Sequence, residues 1–134
     1  MKRMVAIAAA LTLFTVAHAE GPLPAGDAAK GATIFTQCSA CHTVGPGAQK
    51  SVGPVLNGVI GRRSATSPGY RYSGPMRNAA LVWDEPTLAK YLRGPEQMLP
   101  GSKMVFPGLT SDQDIADVIA YLKQYGADGQ PAKH

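Results

Sequence analysis

Two cysteines and a histidine lie within five residues in the segment CSACH, at Cys38, Cys41 and His42, and the chain contains no other cysteine. Thiols and an imidazole this close together can form a disulfide, exchange disulfides, bind a metal or carry a haem. A bridge between Cys38 and Cys41 would close too small a loop to stabilise the fold much. A thioredoxin-like site requires a βαβ setting, and no alternating run of β-branched residues precedes Cys38.

The haem interpretation is the one that also explains His42. In Cys-x-x-Cys-His, both sulfurs form thioethers with the haem vinyl groups, and the imidazole of the next residue binds the iron. A structural zinc site needs four ligands, and after the N-terminal leader only His134 could join these three residues. The sequence therefore predicts one haem, covalently bound through Cys38 and Cys41, with His42 as an iron ligand.

The second axial position of the iron has four candidate ligands: Met76, Met98, Met104 and His134. His134 ends a polar tail and is a poor candidate. Met104 lies in LPGSKMVFPG, where two Pro-Gly pairs exclude a regular helix and leave the side chain free to point inward. We predict Met104 as the second ligand and interpret Met76 and Met98 as methionines that fill the core.

The N-terminus has the pattern of an export signal. Lys2-Arg3 precedes an apolar run from Met4 to Ala17, and Ala17-His18-Ala19 fits the small-x-small rule of signal peptidase. The run is shorter than the ~20 residues of a membrane-spanning helix. We therefore predict that residues 1–19 are a signal peptide cleaved after Ala19, and that residues 20–134 form one small periplasmic domain without stable membrane insertion.

The charge of the chain excludes one broad class of function. It contains 13 Lys and Arg residues against 9 Asp and Glu residues, and two of the basic residues belong to the leader. The remaining chain is weakly basic and has no basic stripe with interleaved aromatic residues, so nucleic-acid binding is not expected. We expect a monomer.

Three segments have helical periodicity and a recognisable first residue. Asp27, Asp84 and Ser111 are expected to cap them, and Gly126 is expected to end the last one. Glycine- and proline-rich loops separate the segments, which predicts an all-α domain whose thin core a haem would complete. The apolar faces consist of Ala28, Ile34, Phe35 and Cys38; of Leu88, Tyr91 and Leu92; and of Ile115, Val118, Ile119 and Leu122.

An ordered set of motifs resembles the class I c-type cytochromes, and is similar to the mitochondrial and alphaproteobacterial short soluble cytochromes c. The resemblance extends roughly from Gly26 to Tyr125. Of the motifs, only CSACH would indicate this family by itself, whereas the complete ordered set is highly specific for it. The motifs are CSACH, VGPVLNGVIGR, PGYRYS, VW, YLRGP, PGSKMVF and IAYLK.

The resemblance implies a fold and a function. The fold would have three main helices, short helices and long loops around one haem. With His42 and Met104 both on the iron, no coordination site stays open for oxygen or peroxide, so an electron carrier is expected and an enzyme is not. Its partners would be a quinol–cytochrome c oxidoreductase, a terminal oxidase or reaction centre, or a dehydrogenase. The alternative is a peroxidase-like enzyme or the haem subunit of a periplasmic dehydrogenase.

The resemblance also implies roles for further residues around the haem. The carbonyl of Pro54 would accept a hydrogen bond from His42, and Tyr91 would donate one to the Met104 sulfur. Gly31 would lie where the first and last helices cross, against Tyr121. Donors to the haem propionates would be Arg62, Tyr72, Trp83 and Ser102, and the haem walls would include Leu56 and Phe106.

Some positions depart from the family pattern. Mitochondrial-type members often carry lysines around the exposed haem edge, and of these Lys103 remains. Met76 replaces a usual asparagine near the buried side of the haem. Neutral or acidic residues at the lysine positions predict a weakly basic docking surface; they are Gln37, Ser51, Glu96, Thr110 and Ser111.

Overall fold

The computed structural model describes residues 21–133, which form five helices joined by long loops. Within these residues, β structure is limited to two isolated antiparallel bridges, Arg63–Val82 and Tyr125–Pro131. The prediction of an all-α domain with three main helices and additional short ones is confirmed. The predicted signal peptide and His134 lie outside the described residues. The helices are α1 (Ala28–Phe35), α2 (Gly74–Asn78), α3 (Glu85–Arg93), α4 (Pro95–Met98) and α5 (Asp112–Lys123).

Side-chain caps start the three main helices where the sequence predicts them. Asp27 accepts hydrogen bonds from the N–H groups of Ala29 and Lys30 at 2.9 and 3.2 Å. Asp84 accepts one from Thr87 N–H at 2.9 Å, and Ser111 accepts one from Asp114 N–H at 3.2 Å. These bonds satisfy backbone donors that have no partner inside the helix.

The predicted end of α5 at Gly126 is wrong. The helix ends at Lys123, and the N–H of Gln124 still bonds back to Leu122 and Tyr121. Gly126 belongs to the turn that follows, where its N–H donates to the carbonyl of Gln130 at 2.8 Å. The final chain segment therefore folds back on itself directly after the helix.

The close crossing of α1 and α5 organises the fold. A Cβ atom on Gly31 would lie 1.9 Å from the carbonyl oxygen of Asp117 and 2.8 Å from Cβ of Tyr121, so only glycine permits this approach. The rings of Phe35 and Tyr121 pack at 5.2 Å between centroids on the same crossing. The predicted contact between Gly31 and Tyr121 is confirmed.

The hydrophobic core lies between α3 and α5 and remains open on one side. Ile115, Val118 and Leu122 of α5 pack with Leu88 and Leu92 of α3, and all five are buried. All of these except Ile115 also line a cleft. None of the helices in residues 21–133 is long and apolar enough to cross a membrane.

A buried carboxylate ties α5 to the beginning of α1 and makes stability depend on pH. Asp117 accepts hydrogen bonds from Asp27 N–H at 2.7 Å and from the Gln113 side chain at 2.8 Å. These two bonds lower the pKa of Asp117. The stabilisation is therefore complete above the unfolded-state pKa near 4 and is lost as the pH falls through the lower folded-state value.

We expect Asp117→Asn to be less stable than the wild type at pH 7, because the amide lacks the charge that strengthens both hydrogen bonds. The two proteins should converge as the pH falls through the lowered folded-state pKa of Asp117, where the carboxylate becomes protonated. Urea unfolding at several pH values measures the difference. A difference that stays constant with pH would show that the ionised carboxylate is not involved.

Candidate functional site

A cleft opens between the helices and the long loops. All of the site residues predicted from the sequence line it except Cys41 and Phe106. Cys41 is half-buried beside it, and Phe106 packs against the core instead. The lining is mostly apolar, which suits a large flat aromatic group. The predicted residues on the lining are Cys38, His42, Pro54, Leu56, Arg62, Tyr72, Trp83, Tyr91, Ser102 and Met104.

The CSACH segment continues α1 as a helical turn. Cys38 N–H donates to Phe35 O at 2.8 Å, and His42 N–H donates to Cys38 O at 2.9 Å. This i, i+4 relation puts Cys38 and His42 on the same side of the turn, and both line the cleft. Cys38 and Cys41 form no disulfide within the described residues. Burial raises the pKa of Cys38, and the neighbouring Cys41 adds to the effect.

The imidazole of His42 is held in one tautomer. Its Nδ1 lies 2.8 Å from the carbonyl oxygen of Pro54. A carbonyl can only accept, so Nδ1 carries the proton and the Nε2 lone pair is available to a metal. Burial lowers the pKa of His42; the Pro54 hydrogen bond opposes this, and the charge of Arg62 lowers the pKa further. The imidazole is therefore neutral at pH 7.

Gly53 is a site residue that the sequence reasoning missed. A Cβ atom at this position would lie 2.5 Å from Cε1 and 2.8 Å from Nδ1 of His42. The absence of a side chain lets the imidazole pack against the backbone directly before Pro54. The signal was the Gly-Pro pair itself, which the sequence analysis used only for the proline carbonyl.

Met104 reaches the cleft from an irregular loop. Gly101 and Gly108 adopt φ values of 77° and 105°, which side chains disfavour. Between them Met104 is half-buried on the cleft, Val105 is fully exposed and Phe106 turns back toward the core. This alternation is typical of an extended segment with one side inward.

The other two candidate methionines lie on short helices. Met98 is in α4 and packs against the core outside the cleft. Met76 is in α2 and lines the cleft together with Met104. Met76 therefore does more than fill the core: it lies on the cleft wall, which fits the position near the haem that the resemblance implies.

Backbone pairing brings Arg62 and Trp83 to the cleft together. Trp83 N–H donates to Arg62 O at 2.9 Å, and Gly61 N–H donates to Trp83 O at 2.8 Å. The guanidinium of Arg62 donates to the carbonyls of Asn57 and Val55 at 2.9 and 3.2 Å. These bonds fix the guanidinium without using its Nε–H.

Three buried polar atoms on the cleft have no hydrogen-bond partner among the described residues: Arg62 Nε, Tyr91 Oη and Ser102 Oγ. Buried polar groups are nearly always bonded, so these atoms indicate a bound group that carries acceptors. Burial raises the pKa of Tyr91, which keeps its hydroxyl proton at neutral pH. Tyr72 Oη accepts from Ser67 N–H at 3.0 Å and still has its own proton to donate. An apolar lining with donors at its edge fits haem and its carboxylates.

Comparisons with known proteins agree with this fold and site. The family model described as Cytochrome c matches residues 28–126. Cytochrome c2 of Blastochloris viridis is 46% identical over 117 residues, which cover 87% of this chain and 92% of that protein. Cytochrome c of Sesamum indicum is 52% identical over 102 residues, covering 75% and 92%. The structure of cytochrome c2 from Rhodospirillum centenum aligns with a TM-score of 0.72 at 41% identity, covering 75% of this chain and 99% of that one.

The fold and the cleft define a haem-binding electron-transfer protein of the class I c-type. The chain belongs to the cytochrome c family. It carries one covalently bound haem c, and it is an electron-transfer protein and not an enzyme. The predictions of family, fold class and cofactor are confirmed, and the peroxidase-like and dehydrogenase-subunit alternatives are not favoured.

Proposed function

We propose that the chain is a periplasmic one-electron carrier whose haem is attached at Cys38 and Cys41 and ligated by His42 and Met104. The observation that carries the proposal is the state of His42. Its Nδ1–H is engaged by Pro54 while its ring faces the cleft that Met104 also lines. An imidazole and a thioether on one apolar cleft are the two donors that a six-coordinate haem iron needs.

Haem, when bound, supplies a reversible one-electron iron couple. His42 offers the Nε2 lone pair, and the Pro54 carbonyl makes the imidazole a stronger donor by accepting a hydrogen bond from Nδ1–H. The thioether of Met104 favours the reduced state and raises the potential. Arg62, Tyr72, Trp83 and Ser102 are proposed to hold the carboxylates, and Leu56, on the cleft lining, is proposed to exclude water from the ring.

A redox titration of the matured protein, followed by visible absorption, tests this proposal. We expect one transition with a one-electron slope and low-spin spectra in both oxidation states, because both axial positions are filled. A high-spin oxidised form that binds and turns over peroxide would contradict it. Sequencing of the mature N-terminus should begin at Glu20 if the predicted leader is cleaved after Ala19.

Tyr91 is proposed to tune the iron through Met104. Its buried hydroxyl makes no well-formed hydrogen bond among the described residues, although the Ser102 side chain lies close enough to oppose the rise of its pKa, and it lies on the same cleft as the methionine. A hydrogen bond to the sulfur withdraws electron density from the thioether, so Tyr91→Phe should lower the potential. The expected decrease is up to about 40 mV, since such a bond contributes about 1 kcal/mol and 59 mV corresponds to a tenfold change. Voltammetry that finds equal potentials would exclude the bond.

The partners are proposed to be a quinol–cytochrome c oxidoreductase and a terminal oxidase or reaction centre, or a dehydrogenase, which dock at the mouth of the cleft. The residue after Met104, Val105, is fully exposed, and Val52 is 71% exposed. Gln37, Ser51 and Thr110, at positions where the family often has lysine, are exposed and uncharged. Lys103 and Arg71 are exposed and meet at the mouth of the cleft, so a partner would find a surface that is partly apolar and weakly basic.

Electron transfer to the natural acceptor should depend only mildly on salt, because neutral residues occupy most of the positions where the family has lysine and Glu96 opposes the charge of Lys103. Glu96 is exposed at a position where a lysine is common in the family, so Glu96→Lys should raise the rate with a mitochondrial-type oxidase and steepen its salt dependence. Asp128→Lys, in the exposed C-terminal segment, makes the same change of charge as a control. Stopped-flow rates across a salt series decide the matter. A steep fall for the wild type that Lys103→Ala abolishes would show that a basic edge governs docking.

A further inference from the structure

The chain ends in a closed turn that begins where the family match stops, at residue 126. In this C-terminal turn, residues 126–132, Gly126 N–H donates to the carbonyl of Gln130 at 2.8 Å. Ala132 N–H donates to the carbonyl of Gln124, the residue after α5, at 2.9 Å. The turn is therefore tied back to the end of α5 by its own backbone hydrogen bonds.

The C-terminal turn packs tightly on the loop that follows the CSACH segment. Gly129 is buried, and a Cβ atom there would lie 2.1 Å from the carbonyl oxygen of Gly45 and 2.7 Å from Nδ2 of Asn57. Gly58 N–H donates to the carbonyl of Tyr125, directly before the turn, at 3.0 Å. This close approach leaves room only for glycine at position 129, where φ is also 77°.

Asn57 closes the loop on which the C-terminal turn packs. Its buried side chain accepts a hydrogen bond from Gly45 N–H at 2.8 Å and donates one to the Gly45 carbonyl at 2.9 Å. One amide thus joins the two ends of the loop, residues 45–57, and Gly129 covers that junction. The turn shields both hydrogen bonds from water, which strengthens them.

The same loop carries the carbonyl that holds His42. The oxygen of Pro54 lies 2.8 Å from His42 Nδ1, and Pro54 lies between the two ends that Asn57 joins. Neither Gly129 nor Asn57 lines the cleft. An effect of either residue on the imidazole must therefore pass through the loop, by way of the position of the Pro54 carbonyl.

We propose that the C-terminal turn clamps residues 45–57 and thereby holds Pro54 against His42, so that Gly129 and Asn57 are positioning residues for the imidazole. The consequence for the iron rests on the ligation proposed above. Loss of the clamp raises the population of open loop states, in which the Nδ1 proton is no longer bonded to Pro54, by the interaction energy removed. The imidazole is then a weaker and less firmly oriented donor to the iron.

Gly129→Ala tests the clamp in the reduced holoprotein, because the added Cβ would meet the backbone oxygen of Gly45. Gly61→Ala is the matched control: φ is 81° there, and nothing beyond the chain neighbours lies within 4 Å of the added Cβ. Both variants carry the backbone strain, but only Gly129→Ala disturbs the contact between turn and loop. Amide hydrogen exchange of residues 53–58 and solvent exchange of the His42 Nδ1 proton, both followed by NMR, should be about tenfold faster than in the control.

A second variant acts from the loop side of the contact. Asn57→Ala deletes both side-chain hydrogen bonds to Gly45 and leaves the sequence of the turn unchanged. It should accelerate the amides of residues 53–58 and the His42 Nδ1 proton by a factor similar to that of Gly129→Ala, because both changes open the same junction. A fast Nδ1 proton in Asn57→Ala alone would place the positioning in the loop and exclude the turn.

The exchange rates separate the remaining outcomes. Equal exchange of residues 53–58 in Gly129→Ala and Gly61→Ala would overturn the clamp. Faster loop exchange with an unchanged Nδ1 proton would overturn the positioning of His42. Equal acceleration of the amide of Val118 in α5 would show global destabilisation in place of a local opening. If His42 proves not to bind the iron, the proposed ligand set fails, and the loop amides still decide whether the clamp exists.

Discussion

Met104→Ala is expected to lower the reduction potential of the matured protein by on the order of 200 mV, because axial-ligand identity sets haem potentials over about 0.8 V. The thioether stabilises the reduced iron, and alanine leaves water or another ligand in its place. The weak far-red band of the methionine–iron bond should disappear from the oxidised spectrum. Voltammetry and visible absorption of the same sample measure both effects.

Two other methionines supply the controls. Met98→Ala changes a residue of α4 outside the cleft, and Met76→Ala changes one on the cleft itself. Both variants should keep the far-red band. Met76→Ala is the sharper control because it also removes a thioether from the cleft lining. If the far-red band is lost in Met76→Ala or in Met98→Ala and survives in Met104→Ala, the assignment of the second ligand is wrong.

Gly31→Ala is expected to destabilise the folded protein by about 3 kcal/mol, at the upper end of the range for overpacked sites. The added Cβ would lie 1.9 Å from the backbone oxygen of Asp117. Because the obstructing atom is part of the backbone, no side-chain rotation can relieve the clash. The two helices would have to separate, which also disturbs the Phe35–Tyr121 contact. Guanidinium unfolding of the holoprotein measures the loss.

The sign of this effect is informative, because helix propensity alone predicts the opposite. In an open helix, replacing glycine by alanine stabilises by about 1 kcal/mol. The neighbouring Ala32 is exposed on the same helix, so Ala32→Gly should show the propensity effect alone, a loss of about 1 kcal/mol. A stabilised Gly31→Ala protein would contradict the close crossing of α1 and α5.

The features that the sequence predicted correctly are mostly local. The caps at Asp27, Asp84 and Ser111 depend on residues two or three positions away. The turn that carries Cys38 and His42 into the cleft likewise continues α1 through backbone hydrogen bonds to residues three and four positions away. The need for glycine at position 31 comes from the close approach of α5, which is distant in the sequence. No local pattern shows it, and the family resemblance supplied the correct placement.

The features that were missed depend on long-range packing or on weak local signals. The role of Gly53 requires knowing that the His42 ring lies against it, and the contact between Lys103 and Tyr70 joins residues far apart in the chain. Helix α2 did have a local signal, because Ser73 caps it and Pro75 lies in its first turn. The end of α5 was misplaced because Gly126 has a turn partner, Gln130, that periodicity does not reveal.

The most direct test of covalent haem attachment through Cys38 and Cys41 is the mass of the matured protein, unfolded and treated with a thiol-alkylating reagent. The expected mass is that of residues 20–134 plus one haem, with no alkylated cysteine and with haem retained after acid–acetone extraction. Cys38→Ala and Cys41→Ala should each leave at most one thioether, which the spectrum of the haem in pyridine distinguishes from two. A protein whose mass equals that of the polypeptide with two alkylated cysteines, after maturation in a host that attaches haem to other c-type cytochromes, would contradict the attachment.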